Sequence, residues 1–149
     1  MKKSIQGIVD IGNKPVVERR AIATGTIQLS AKSKKAITTD SITKGNVIEA
    51  STIAAIQAVK DTPRIIPHCH PIPLESCKVD WSWEDLHLRC TVEVCAKYKT
   101  GIEMEALTGV SAGLLCVLDM VKSLEKDSEG QYPHTCISEI RVLEKFKGD

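Results

Sequence analysis

Residues 77–96 read CKVDWSWEDLHLRCTVEVCA and contain two runs in which apolar and polar residues alternate. In the first run, positions 77, 79, 81 and 83 form the apolar face, and in the second run the even positions from 86 to 96 do so. Glu84-Asp85 lies between the runs, where a short polar pair suits a tight hairpin turn. The stretch therefore predicts two antiparallel strands that each bury one face.

Further elements are predicted on both sides of this hairpin. Residues 20–29 alternate with small apolar side chains on one face and predict a strand, and a final strand is plausible over about 136–145. Ser30 is a candidate N-cap for a short helix over 31–38, and Asn46 for a helix over about 47–61. The second helix is expected to bury Ile48, Thr52, Ala55, Ile56 and Val59. Pro63 is expected to end it, since prolines at 63, 67, 71 and 73 exclude a helix there.

Residues 102–125 show the strongest helical periodicity in the chain. The apolar positions 107, 110, 114, 117, 121 and 124 recur in steps of three and four. The opposite side carries the small residues Gly109, Ala112, Gly113 and Cys116, which favour close packing of a second partner on that side. The order strand, helices, strand, strand, helix, strand predicts an α+β, ferredoxin-like βαββαβ fold. Its helices would cover one face of an antiparallel sheet, and self-association would cover the other.

Composition narrows the class of protein. The 149 residues carry 20 Lys and Arg against 19 Asp and Glu, and 42% of them are hydrophobic. These values fit a globular chain, which we expect to form one domain over 1–149, and exclude a strongly basic nucleic-acid binder. No run is expected to cross a membrane, and the N-terminus has no apolar signal-peptide core, so a cytoplasmic location is expected. No Cys-x-x-Cys pair occurs among the six cysteines, and most are expected to be small buried hydrophobes.

The segment Pro67-His68-Cys69-His70-Pro71 is the most unusual local feature. A His-x-His pair can bind a metal if further ligands converge, but a rigid surface loop is the simpler interpretation. A third interpretation is that prolines orient an imidazole for substrate binding or proton transfer.

Two groups of charged residues lie on the long predicted helix. Glu103 and Glu105 suit the first turn, where carboxylates interact well with the helix dipole. Asp119 and Lys122 are spaced as a surface ion pair, and burial by a partner would make acid–base roles possible. Glu105 and Asp119 are separated by about 21 Å along a straight helix, so they cannot meet one reacting centre within a single chain. Lys44-Gly45 precedes a predicted helix, and Arg19-Arg20 and Lys145-Phe146-Lys147 flank predicted strands. They would form a phosphate site only if several of them converge.

Together these stretches resemble the cyclic pyranopterin monophosphate synthase family, also called molybdenum cofactor biosynthesis protein C. The resemblance covers nearly the whole chain. It is carried above all by Cys69-His70-Pro71, by the run from Thr100 to Thr108 (TGIEMEALT), and by Leu118-Asp119-Met120-Val121-Lys122.

The resemblance implies a homohexamer, a trimer of dimers, with active sites at subunit interfaces. It implies conversion of a 3′,8-cyclised dihydro-GTP to cyclic pyranopterin monophosphate and diphosphate, with no metal or organic cofactor and no nucleic-acid or membrane partner. By position, Asp119, Lys122 and Lys44 match catalytic residues of the family. The matched substrate-binding positions are His68, Cys69, His70, Glu103, Met104, Glu105, Arg19, Asp10 and Lys145.

Two alternatives remain open from the residues alone. A non-catalytic ligand-binding module would bind nucleotide without releasing diphosphate. A zinc hydrolase using His68, Cys69 and His70 would hold about one zinc per chain and lose activity to chelators. Neither alternative explains the Glu-Met-Glu block together with Asp119 and Lys122.

Overall fold

The computed structural model describes residues 4–5 and 7–149. Along the chain the elements are β1 (Val17–Gln28), α1 (Ala31–Thr38), α2 (Val47–Ile65), β2 (Leu74–Glu84), β3 (His87–Tyr98), α3 (Glu103–Glu125) and β4 (Cys136–Lys147). The strands form one antiparallel sheet in the order β2-β3-β1-β4. α3 packs against β1, β3 and β4, and α2 packs against α3 and β2. The expected α+β, ferredoxin-like arrangement is confirmed.

The β2–β3 hairpin forms where its alternation predicts it. Glu84 pairs with His87, and Asp85 in the turn between them adopts a positive φ of 52°. On β3, alternate residues from Leu88 to Ala96 are buried under the helices. β1 supplies small residues to the same face, because Ala21 and Ala23 lie opposite Val94 and Val92. Small side chains on β1 therefore leave room for α3 above the centre of the sheet.

α3 is the central helix, and its small residues approach α2. A Cβ added at Gly109 would lie 2.6 Å from Val59 Cγ2, and one at Gly113 would lie 3.4 Å from Ala55 Cβ. The small-residue side of α3 is thus covered in part within the chain, not only by a partner. α3 is long and apolar enough to cross a membrane by length and composition alone, but half of its apolar window is buried. That burial is typical of a core helix.

The predicted end of α2 is wrong, because the helix continues through Pro63 to Ile65. Proline has no N–H to donate to the carbonyl of Val59. The Thr62 hydroxyl takes over this bond and lies 3.0 Å from the carbonyl oxygens of both Ala58 and Val59. A buried side-chain donor therefore lets the helix accept a proline two residues before its end.

The predicted apolar face of α2 is also rotated. The buried residues are Val47, Ser51, Ala55, Ala58, Val59 and Thr62, whereas Ile48, Thr52 and Ile56 lie at its edge. Small and hydroxyl-bearing residues occupy the contact because α2 approaches the glycines of α3 closely. The cysteine expectation fails as well: Cys90 alone is buried, Cys136 is exposed, and the other four are intermediate.

The sheet face away from the helices is polar. Arg89 donates to both carboxylate oxygens of Glu84, to Glu139 and to the Thr24 hydroxyl. Arg20 pairs with Glu144 at 2.7 Å and lies over the ring of Phe146. This face is thus organised by ion pairs rather than by an apolar layer.

Thr62→Val should destabilise the protein by about 1–3 kcal/mol, because the buried Val59 carbonyl loses its donor. Pro63→Ala restores a backbone N–H at the right position, so the same Thr62→Val change should cost less in that background. Urea unfolding of the single and double variants measures both effects. Thr108→Val is the control, since the Thr108 hydroxyl bonds a carbonyl in an uninterrupted part of α3. Equal losses in both backgrounds would contradict this role of Thr62.

Candidate active site

The first group of candidate residues lies near the C-terminal end of α3. Asp119 Oδ1 is 3.0 Å from Lys122 Nζ, and Asp119 Oδ2 is 3.2 Å from Lys44 Nζ. Lys44 also donates to the backbone carbonyl of Asp119 at 2.9 Å. The loop that carries Lys44 is shaped by Gly45, whose φ of 116° lies in a region that glycine favours, and by Asn46, which caps α2. The three predicted catalytic residues therefore converge.

The two lysines control the ionisation of Asp119. Hydrogen bonds from Lys122 and then Lys44 hold the pKa of Asp119 below its usual value, and Asp119 in turn raises the pKa of Lys122. The Asp119 side chain is 59% exposed in the single chain. Water therefore screens this group, in which the Asp119 carboxylate lies between the side chains of Lys44 and Lys122.

The second group lies at the other end of α3, where the proline-rich loop faces the first helical turn. A cavity of about 370 Å³, here called the loop cavity, lies between them. Its lining includes His68, Cys69, His70, Glu103, Met104 and Glu105, as well as Val9, Ile11, Lys14, Ile72, Thr100 and Gly101. His70 Nε2 lies 2.6 Å from the carbonyl oxygen of Val9, which orients the ring. All six sequence-predicted residues of this region thus share one cavity.

Glu105 is the most perturbed carboxyl group of the loop cavity. Its residue is 4% exposed, and Oε2 has no hydrogen-bond partner within the described part of the chain. Burial is the main cause that raises the pKa of Glu105 to about 7, and the nearby Glu103 adds to it. Burial, and secondly Glu105, also raises the pKa of the Cys69 thiol. At neutral pH this side of the cavity therefore offers a carboxyl group close to its own pKa and a neutral thiol.

A third region adjoins the loop cavity and shares Lys14, Thr100 and Gly101 with it. This cationic cavity has a volume of about 350 Å³ and is lined by Lys14, Arg19, Lys145 and Lys147, with Pro15, Thr100 and Gly101. Lys145 Nζ is 2.6 Å from Glu103 Oε1. Although burial opposes it, this bond is the main reason that the pKa of Glu103 is lowered, and the charge of Arg19 contributes. Arg19 and Lys145 therefore converge, as a phosphate site requires.

Lys14 was missed by the sequence-based site prediction, whereas Lys147 was considered with Lys145 as a possible phosphate contact but was not among the predicted site residues. Lys147 had a readable signal, since strand alternation places it on the same face as Lys145. Lys14 precedes β1 in a loop and had none. Asp10, a predicted site residue, is not part of the lining of either cavity. Its Oδ1 accepts a hydrogen bond from the Gly12 amide at 2.8 Å and shapes the chain beside His70.

The two ends of α3 remain apart in the single chain. The helix runs unbroken from Glu103 to Glu125, so Glu105 and Asp119 are separated by about 21 Å at 1.5 Å per residue. Among residues 4–5 and 7–149, no group of three or more His, Cys, Asp or Glu side chains is arranged to hold a metal ion. The arrangement offers acid–base groups at one end and hydrogen-bonding and cationic groups at the other.

Glu105→Gln should stabilise the protein at high pH and leave it nearly unchanged at low pH. Because burial raises the pKa of Glu105 from 4.5 to about 7, the stabilising protonated form is lost as pH rises through that range. We expect the variant to gain roughly 3 kcal/mol at pH 8 and less than about 1 kcal/mol at pH 5. Chemical denaturation at both pH values measures this difference. The exposed Glu129→Gln is the control, and a pH-independent effect of Glu105→Gln would contradict the assignment.

Comparison with known proteins identifies the family. The MoaC family model matches residues 8–148. The chain is 55% identical to a probable cyclic pyranopterin monophosphate synthase of Methanoregula boonei, covering 95% of this chain and 91% of the relative. It is 52% identical to the proteins of the same name from Thermococcus kodakarensis and Archaeoglobus fulgidus, covering 95% of this chain and 91% and 90% of theirs. With a match over almost its full length, the chain belongs to the MoaC family.

Proposed function

We propose that this chain is a cyclic pyranopterin monophosphate synthase, a lyase of molybdenum cofactor biosynthesis that works in the cytoplasm. Its substrate is (8S)-3′,8-cyclo-7,8-dihydroguanosine 5′-triphosphate, and its products are cyclic pyranopterin monophosphate and diphosphate. The activity is the one for which its relatives of about half identical sequence are named. The convergence of Asp119, Lys122 and Lys44 supports it within this chain.

The active site is assembled from two copies of the chain. The observation that carries this proposal is the separation of Asp119 from the loop cavity along one straight helix. A site that uses Asp119 together with His70 and Glu105 needs a neighbour to supply one of the two ends. A homohexamer built as a trimer of dimers provides such interfaces, and a docked neighbour would also withdraw the exposed Asp119 and Lys122 from water.

Desolvation at that interface lets Asp119 and Lys122 act as acid–base groups. Rearrangement of the ring system requires proton transfers and no net redox change. Closure of the cyclic phosphate requires a sugar hydroxyl to lose its proton and attack the α-phosphorus, while the bond to the leaving diphosphate breaks. Removal of water makes the pKa values of a carboxylate and an ammonium group move toward each other, so that Asp119 and Lys122 can exchange protons with the substrate.

The remaining residues bind and orient the substrate. The chain has a net charge of only +1, so a triphosphate must be attracted by local concentrations of cations. The candidate groups are Arg19 and Lys145 in the cationic cavity, His70 in the loop cavity and Lys44 beside Asp119. Glu105, Cys69 and the backbone around Met104 offer neutral or nearly neutral hydrogen-bonding groups for the heterocycle. His68, Glu103 and Asp10 complete or shape this side of the site.

Asp119→Asn should stop turnover while leaving fold and assembly intact. The amide keeps the size of the side chain but cannot take a proton at neutral pH, and we expect a loss of at least about 10²-fold in kcat. The test supplies the cyclised GTP substrate and follows diphosphate and pterin formation, with circular dichroism and light scattering as controls for structure. Normal turnover by this variant would remove Asp119 from the mechanism.

Mixing two inactive variants tests whether the site is shared between copies. Asp119→Asn alters the C-terminal end of α3, and His70→Ala alters the loop cavity at its other end. If each site is made from two chains, some mixed oligomers contain sites in which one chain supplies an intact Asp119 and the other an intact His70. After unfolding and refolding as an equal mixture, roughly a quarter of the sites should be intact if pairing is random. Each variant refolded alone is the control. No recovery of diphosphate release in verified mixed oligomers would show that each site belongs to a single chain.

A further inference from the structure

The strand register places like charges opposite each other in the cationic cavity. Arg19 on β1 pairs with Lys147 on β4, and Ala21 pairs with Lys145, so both lysines lie on the cavity side of the sheet edge. Like charges directly opposite in a sheet are destabilising. Within the described part of the chain, neither Lys14 nor Lys147 forms an ion pair. The cavity therefore concentrates positive charge that the protein itself compensates at one point only.

Arg19 makes the shortage of negative charge more acute. The residue is 7% exposed, its Nε has no hydrogen-bond partner among the described residues, and its Nη2 contacts only the Lys99 carbonyl, at 3.3 Å. A buried guanidinium that makes no hydrogen bond to a carboxylate is costly, and its fork of donors suits a phosphate group. Arg19 belongs to the lining of the cavity that the lysines surround.

The compensating charge within the chain is Glu103. It belongs to the lining of the loop cavity, while its partner Lys145 belongs to the lining of the cationic cavity. Their bond of 2.6 Å joins the two cavities through one ion pair. In the free chain, therefore, a carboxylate of the loop cavity occupies a donor that a bound anion would need.

Resting on the function proposed above, in which Arg19 and Lys145 bind the phosphates of the substrate, we propose that phosphate displaces Glu103 as the partner of Lys145 when the cationic cavity is occupied. Arg19, Lys14 and Lys147 hold the terminal phosphates, and the two groups added here to the matched residues are Lys14 and Lys147. Once Lys145 turns to the phosphate, Glu103 is released to accept hydrogen bonds from the heterocycle in the loop cavity. Binding of the phosphate tail thereby prepares the site for the other end of the same substrate.

The exchange predicts that Glu103 competes with an added anion. Binding of inorganic diphosphate to the full chain, measured by isothermal titration calorimetry, should become about three- to fivefold tighter in Glu103→Gln, the range expected for loss of a partly exposed ion pair. Lys145→Gln and Lys147→Gln should each weaken diphosphate binding. In the Lys145→Gln background, adding Glu103→Gln should bring no gain, because the competed donor is already gone.

Two control variants separate exchange from a general charge effect. Glu18→Gln removes an exposed carboxylate next to Arg19 in sequence, and Lys32→Gln removes an exposed lysine on α1; both should leave diphosphate affinity unchanged. Absence of diphosphate binding to the unmodified chain, no gain in Glu103→Gln, or an equal gain in the Lys145→Gln background would overturn the proposal. These binding results do not depend on turnover, so a failure of the proposed reaction is recognised separately by the lack of diphosphate release from the cyclised substrate.

Discussion

The close contact of α3 with α2 and the sheet is the constraint on which the rest of the structure depends. Gly109 and Gly113 admit Val59 and Ala55 of α2, and the small residues of β1 let α3 lie over the centre of the sheet. α3 is one continuous helix held on two sides. The same packing that forms the core therefore fixes Glu105 at one end and Asp119 at the other, with no conformational freedom to bring them together.

The two ends of α3 shift the pKa values of their carboxyl groups in opposite directions. Glu105 is buried without a partner for Oε2, which raises its pKa to about 7. Asp119 is exposed between two lysines, which lower its pKa. Pairs of acids whose environments separate their pKa values in this way are suited to different tasks, one as a neutral hydrogen-bonding group and the other as a carboxylate. The net charge of the chain, only +1, gives no sign of this difference between the two carboxyl groups.

The sequence predicted the elements whose signals are local. Alternation located the β2–β3 hairpin, and the period of apolar residues located α3, because each depends on one element burying one face. The end of α2 could not be predicted in the same way. Pro63 is a strong helix breaker, and only the Thr62 hydroxyl, acting on the Val59 carbonyl, lets the helix continue. The rotated face of α2 has a similar cause, since Ser51 and Thr62 are buried by the close approach of α3 rather than by their own hydrophobicity.

The residues of the candidate site likewise fall into those that the sequence could predict and those that it could not. The family resemblance placed Asp119, Lys122 and Lys44 together, and periodicity alone placed Glu105 far from them. Burial of Arg19 and the bond between Lys145 and Glu103 depend on the pairing of β1 with β4, which no local pattern specifies. Lys14 has no regular element to define its direction, so its place beside Arg19 emerges only from the folded chain.

Charge links the proposed assembly to substrate binding. Asp119, Lys122 and Lys44 together carry one excess positive charge, and so does each unpaired lysine of the cationic cavity. Burying such groups at an interface costs free energy unless an anion accompanies them. In the proposed assembly the triphosphate of the substrate would supply that anion at the junction of two copies, so its binding would offset the desolvation that the proposed acid–base chemistry of Asp119 requires. By linkage, a ligand that favours the docked arrangement must also be bound more tightly by it.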